Sequence, residues 1–190
     1  MPAPEAAPHG PLCDHPYAGT IVLALAYWGL SHLAWMAFHA LGVLPLPIWP
    51  AAGLAFAVAI HGGWRATPGL ALGAFLANLV SLGAPWAAAA GICVMNSVGP
   101  VLGAALLRRQ VTRQLHIRSV ADLLICLGIA IVLVPMLTAV GGVGTTWLFG
   151  LTTTAEAPIR LAKWVMAHAT GTVLVGVPVL IWLRGRGSCV

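Results

Sequence analysis

Charge is scarce in this sequence: it has nine Lys or Arg and four Asp or Glu among 190 residues. Soluble domains carry charge on about a quarter of their residues, so this scarcity excludes a soluble globular fold. A mean hydropathy of +0.96 points instead to an integral membrane protein. The only acids are Glu5, Asp14, Asp122 and Glu156. No carboxylate pair, Gly-x-Ser-x-Gly or His-Glu-x-x-His is present, so an enzyme is not expected. Residues 1–17 hold no Lys or Arg and lack the basic region of a signal peptide, so the first apolar helix is expected to stay. Cysteine is sparse too. Cys13 and Cys189 fall in the tails and Cys93 and Cys126 within apolar runs, a distribution that fits no disulfide framework; all four read as thiols.

What fills the chain is apolar sequence, in stretches at 18–42, 48–64, 67–83, 86–107, 119–141 and 162–183. A bilayer core needs about 20 apolar residues per helix. A membrane β-barrel would alternate polar and apolar residues, whereas these runs are continuously apolar. The expectation is an all-α integral membrane bundle of six transmembrane helices over residues 18–183. It is flanked by a poorly ordered tail at 1–17 and a short tail at 184–190. Arg65, Arg108, Arg109, Arg113, Arg118, Arg184 and Arg186 fall on one side, against Arg160 and Lys163 on the other. The positive-inside bias then places both termini in the cytoplasm. The net charge of +5 does not imply nucleic acid, because these arginines flank spans rather than cluster on one face. The expected surroundings are membrane lipids. Two connections are long: the basic loop 108–119, and the outer segment 141–163, long enough to fold back as a half-helix. His9, Cys13, Asp14 and His15 in the first tail offer metal-ligating side chains with little preorganisation.

Helix breakers and small residues are placed with a pattern. Helices in lipid gain little hydrophobic energy by associating, so close pairs rely on small residues. Gly69 and Gly73 form such a ridge with Ala77, as do Gly99 with Gly103 and Ala167 with Gly171. Pro50 and Pro68 stand near helix starts, where a missing N–H costs little. Pro100 and Pro178 lie inside apolar runs, where each frees a carbonyl and predicts a kink that opens space.

Polar groups at membrane depth are expensive and usually face the bundle interior. Asn78, Asn96, His32, His39, His61 and His168 form that set, with interhelical hydrogen bonding the commoner use of the asparagines. His61, next to Gly62, Gly63 and Trp64, suits an interfacial role. Trp28, His32, Trp35 and His39 share one helical face. At 1.5 Å per residue, His39 lies roughly 5 Å, His168 roughly 10 Å and His32 roughly 15 Å below the outer surface. Imidazoles from the first and last helices are thus within pairing depth for haem b or a metal ion. Neutral core histidines and proton-linked sensing are the other readings. Trp49, Asn78, Asn96 and His168, with the His32, Trp35 and His39 face, are the groups best placed to line one ligand cavity.

In "IWPAAGLAFAVAIHGGWRATPGLALGAFLANL" (48–79) the sequence resembles the first class of membrane-associated sensor domains, the MASE type. That resemblance is carried by Trp49, Pro50, Ala51, Ala52 and Gly53, then Pro68, Gly69, Gly73, Ala74, Phe75, Ala77 and Asn78. It continues in "NSVGPVLGAALLRR" and "TGTVLVGVPVLIWL" and touches most of residues 44–183. It implies a bacterial inner-membrane input module of the kind normally fused to histidine kinase or diguanylate cyclase outputs. Two features depart from the family: six spans where more are common, and no fused output domain after the last span. Where the family's late Gly-Asp-x-x-Gly would fall, this chain reads Ala167, His168, Ala169, Thr170 and Gly171, a histidine replacing the acid. The leading expectation is a sensor-type module that binds a small ligand or partner within the bundle and signals through another membrane or signalling protein. The alternatives are a substrate-binding subunit of an energy-coupling-factor-type transporter, and a b-type haem-binding or accessory subunit of a membrane complex.

Overall fold

The computed structural model describes residues 17–43, 46–110 and 119–185, and every regular element in them is helical. The helices are α1 (Ala18–Ala40), α2 (Pro50–Gly62), α3 (Thr67–Leu76), α4 (Trp86–Gln110), α5 (Val120–Leu127), α6 (Val134–Leu148), α7 (Ala157–Gly171) and α8 (Val177–Gly185). Wider π-turns extend α3 to Ser81, join α5 to α6 and join α7 to α8. The expectations for the first tail, its His9, Cys13, Asp14 and His15, most of the 108–119 loop, Cys189 and most of the last tail lie outside the described residues.

Two of the π-turns have a chemical cause. Proline lacks an N–H, and its ring clashes with the carbonyl four residues back. Pro135 and Pro178 each follow a π-turn, Gly128–Leu133 and Thr172–Gly176. The helix relaxes by widening there, so each long rod continues through its proline. Pro100 is carried inside α4 and buried.

Among the described residues, four helical rods are long and apolar enough to cross a membrane: Ala18–Ala40, Trp86–Gln110, Val120–Leu148 and Ala157–Leu183. The expected spans at 48–64 and 67–83 are realised as shorter helices. With 13 residues, α2 is about 20 Å long at 1.5 Å per residue, less than the about 30 Å of bilayer hydrocarbon. Lipid does not set its length, because nine of those residues, from Ala51 to Ile60, are buried in protein. Its ends are met by protein groups instead. The Arg108 guanidinium donates to the carbonyls of Ala59 (3.1 Å) and Ile60 (2.8 Å) at one end. The Trp49 N–H donates to the Ala167 carbonyl (2.9 Å) at the other.

Around α2, the helix α1 packs on α3, α3 on α4, α4 on α6 and α6 on α7. Glycines sit at the closest crossings. A Cβ on Gly73 would meet the Ala24 carbonyl and Tyr27 Cβ, each at 2.7 Å, and one on Gly69 the Thr20 carbonyl at 2.9 Å. A Cβ on Gly171 would overlap the Trp49 carbonyl, and one on Gly103 the Val134 side chain. All three small-residue ridges read from the sequence therefore lie at helix contacts.

Segment 141–163 does not fold back as a half-helix. α6 runs on to Leu148 and α7 begins at Ala157, leaving a short connection. Gly141 and Gly142 lie within α6, with Met95 and Trp164 packed where their side chains would be. Thr145 and Thr146 return their hydroxyls to carbonyls of their own helix, Gly141 (2.7 Å) and Val143 (2.9 Å). In the turn that leads into α7, Thr153 and Glu156 bond each other reciprocally, with N–H to carboxylate at 3.1 Å and N–H to hydroxyl at 3.3 Å.

Candidate functional site

At the end of the bundle formed by the α1–α2, α3–α4 and α6–α7 connections lies a cavity of about 340 Å³. Trp49, Asn78, Asn96 and His168 line it, together with Arg160, Lys163 and Trp164. Trp49 reaches it as the residue just before α2. Its N–H is held by Ala167, its indole Nε1–H donates to the Tyr27 hydroxyl (3.3 Å), and the bare Cα of Gly171 lets its carbonyl approach α7. Asn78 stands where α3 widens into its π-turn, with its Nδ2 donating to the Ala74 carbonyl (2.8 Å). Asn96 comes from mid-α4, four residues before Pro100, which supplies no N–H to the Asn96 carbonyl.

His168 stacks with two indoles. Its ring stacks on Trp164 at 5.6 Å and 18°, and on Trp49 at 6.2 Å and 14°. Its Nδ1 lies 3.2 Å from the Trp164 carbonyl. A carbonyl only accepts, so Nδ1 carries the proton, and in the neutral ring Nε2 is a bare acceptor. That Nε2 is buried without a hydrogen-bond partner, as are Asn96 Oδ1 and the Trp164 indole N–H. His168 and Asn96 are only 6% and 3% exposed. A buried polar atom left unpaired costs about 1–3 kcal/mol. Three such atoms belong to residues around one cavity, two offering lone pairs and one a proton.

His32, Trp35 and His39 are not part of this site. Residues Ala24, Tyr27, Ser31 and Ala34 form the buried edge of α1, and the Trp/His stripe lies one residue further round the helix. Its rings stack along α1, with centroids 5.8 Å (Trp28–His32), 5.8 Å (His32–Trp35) and 4.9 Å (Trp35–His39) apart. His32 Nδ1 bonds the Ser81 hydroxyl (3.0 Å), which also accepts from Trp28 (3.2 Å), and His39 is exposed. Since α1 packs chiefly on α2 and α3, the expected pairing of its imidazoles with His168 for haem or metal does not form. Among the described residues no group of three or more His, Cys, Asp or Glu is arranged to hold a metal ion.

Arg160, Lys163 and Trp164 were missed as site residues, although their spacing was readable. Arg160, Lys163/Trp164, Ala167/His168 and Gly171 recur at three- and four-residue steps and form one face of α7. The two cations were read only as the minority side of a charge count.

The fold and site define a helical membrane protein with a small polar-floored cavity at one end of its bundle. The MASE1 family model matches residues 19–188, so the chain belongs to the MASE1 family of membrane-associated sensor domains. That is a family of sensor rather than catalytic domains. No curated protein and no solved structure matches the chain.

Proposed function

We propose that this membrane sensor domain detects a small molecule held in the cavity between Trp49, Asn96 and His168, and passes the signal to another membrane or signalling protein. The observation that carries this reading is the meeting of three unpaired buried polar atoms, on α4 and α7, around one cavity. A core built only for packing pairs its polar groups internally, and a site that recognises a ligand leaves them for the ligand. We place residues 18–183 in a bacterial inner membrane as six membrane-embedded segments, α2 and α3 being the short central pair. Both termini are then cytoplasmic, because Arg65, Arg108 and Arg109 lie at the end of the bundle opposite Arg160 and Lys163.

Native mass spectrometry of the gently solubilised protein tests the ligand. The wild-type chain is expected to carry a small-molecule adduct that Asn96→Leu and His168→Phe abolish while membrane insertion is unchanged. An adduct that persists in both variants would place the ligand elsewhere.

A further inference from the structure

We propose that the ligand of this cavity is an organic anion, a carboxylate or phosphate whose body also carries hydroxyl or amino donors. The proposal rests on the reading of the cavity as a small-molecule site and adds the chemistry of what fills it.

The mouth of the cavity supplies the charge. Arg160 and Lys163 both line it, and among the described residues they are the only Lys or Arg at this end of the bundle. Arg160 meets Glu156 at 3.7 Å, with the two side chains 48% and 49% exposed. Such a wide, hydrated contact leaves the guanidinium available. Lys163 has no ion-pair partner among the described residues. The mouth therefore carries an excess of positive charge beside an apolar interior, which suits one anionic group.

The floor supplies the second requirement. His168 Nε2 and Asn96 Oδ1 are acceptors without donors, and the Trp164 indole N–H is a donor without an acceptor. An inorganic anion at the mouth would leave the acceptors unpaired, and a neutral polyol would leave the cations unused. A molecule that satisfies both ends has an anionic group at one end and O–H or N–H groups at the other, with an apolar middle against Leu46, Leu82 and Val143. At about 340 Å³ the cavity lies at the small end of ligand sites, which run from about 300 to 1,000 Å³. It suits a compact acid or a single lipid headgroup rather than a whole lipid.

The test is a thermal melt of the full chain in nanodiscs. The probes are 4-hydroxybenzoate and 3-hydroxybutyrate, each compared with its neutral amide in phosphatidylcholine discs, with a second arm in phosphatidylglycerol discs. At least one acid is expected to raise Tm where its amide does not. Lys163→Gln and Arg160→Gln should each weaken that apparent affinity about tenfold or more, the loss of a charge-assisted hydrogen bond. Arg109→Gln, at the opposite end, should leave it unchanged. If stabilisation instead comes from phosphatidylglycerol and is lost in Lys163→Gln, the proposal stands with a lipid headgroup as the anion. Amides that stabilise as well as the acids, dependent on His168 and indifferent to Lys163, would overturn the anion and leave the ligand site standing. No shift with any probe or lipid would overturn both.

Discussion

Two helices of this protein place a tryptophan four residues before a histidine, and the two pairs end in opposite circumstances. On α1, Trp28 and His32 begin a stack that runs out to an exposed His39, and Ser81 satisfies the His32 ring nitrogen nearest to it. On α7, Trp164 and His168 form the same local stack, but Trp49 from before α2 also stacks on the imidazole and no described group meets Nε2. The periodicity is shared and the cross-helix neighbour is not. A residue's depth and spacing place it on a face, while its chemistry depends on what another helix brings to that face.

The contrast can be broken most severely at the glycines that seat each helix. Gly171→Leu would drive a side chain into the Trp49 carbonyl, separating α7 from the start of α2 and dismantling the cavity. Overpacking of this kind costs about 1–3 kcal/mol and more where backbone must move, so a large fall in Tm and loss of ligand retention are expected. Gly73→Leu, forced against Tyr27 and the Ala24 carbonyl, should lower Tm by a comparable overpacking cost of about 1–3 kcal/mol. Unchanged melting of Gly73→Leu in detergent would mean that α1 is not held there.

Ser81→Ala separates the two histidines more gently. It removes the hydroxyl shared by Trp28 and His32 and should cost about 1 kcal/mol, the usual value of a hydrogen bond, with ligand binding intact. Loss of binding in that variant would tie the α1 stripe to the cavity. His39→Ala should change stability by less than about 0.5 kcal/mol, as exposed sites do.

The smallest effect belongs to Glu156, in the connection outside the membrane-spanning rods. Its carboxylate accepts from the backbone N–H of Thr153 first, then bonds the Thr153 side chain and faces Arg160, and together these hold its pKa below the ordinary 4.5. A depressed folded value means that its contribution is complete above the ordinary value and is lost as pH falls through the folded one. Hydrogen exchange in residues 149–156 should accelerate on that acid limb, and Glu156→Gln should remove the dependence. An identical acid limb in Glu156→Gln would assign it to another group.

Much of the architecture was legible in the sequence, because continuous apolar runs and small-residue ridges are local patterns. The Gly69/Gly73 ridge does seat α1, and Pro50 and Pro68 do open helices. The length of α2 was not legible. A helix enclosed by protein is freed from bilayer thickness, and only its neighbours show that it is enclosed. The fate of segment 141–163 was equally hidden, since the packing of Met95 on Gly141 and of Trp164 on Gly142 joins residues far apart in the chain. At the site, Trp49, Asn78, Asn96 and His168 could be singled out as polar or aromatic groups within apolar sequence. His32, Trp35 and His39 met the same criterion and stand elsewhere, because a stripe one residue off the Tyr27/Ser31/Ala34 edge turns away from the cavity.

The central claim is that His168 Nε2 and Asn96 Oδ1 are kept unpaired for a ligand, and the melting temperature of the ligand-stripped double variant Asn96→Leu/His168→Phe tests it most directly. Replacing desolvated, unpaired polar atoms by apolar groups of similar shape is neutral or stabilising. The account therefore predicts a Tm equal to or above that of the stripped wild type, by about 2–4 °C for each kcal/mol regained. A Tm that falls as far as in Ser81→Ala or further would show that these two side chains hold the bundle together, and would contradict the account.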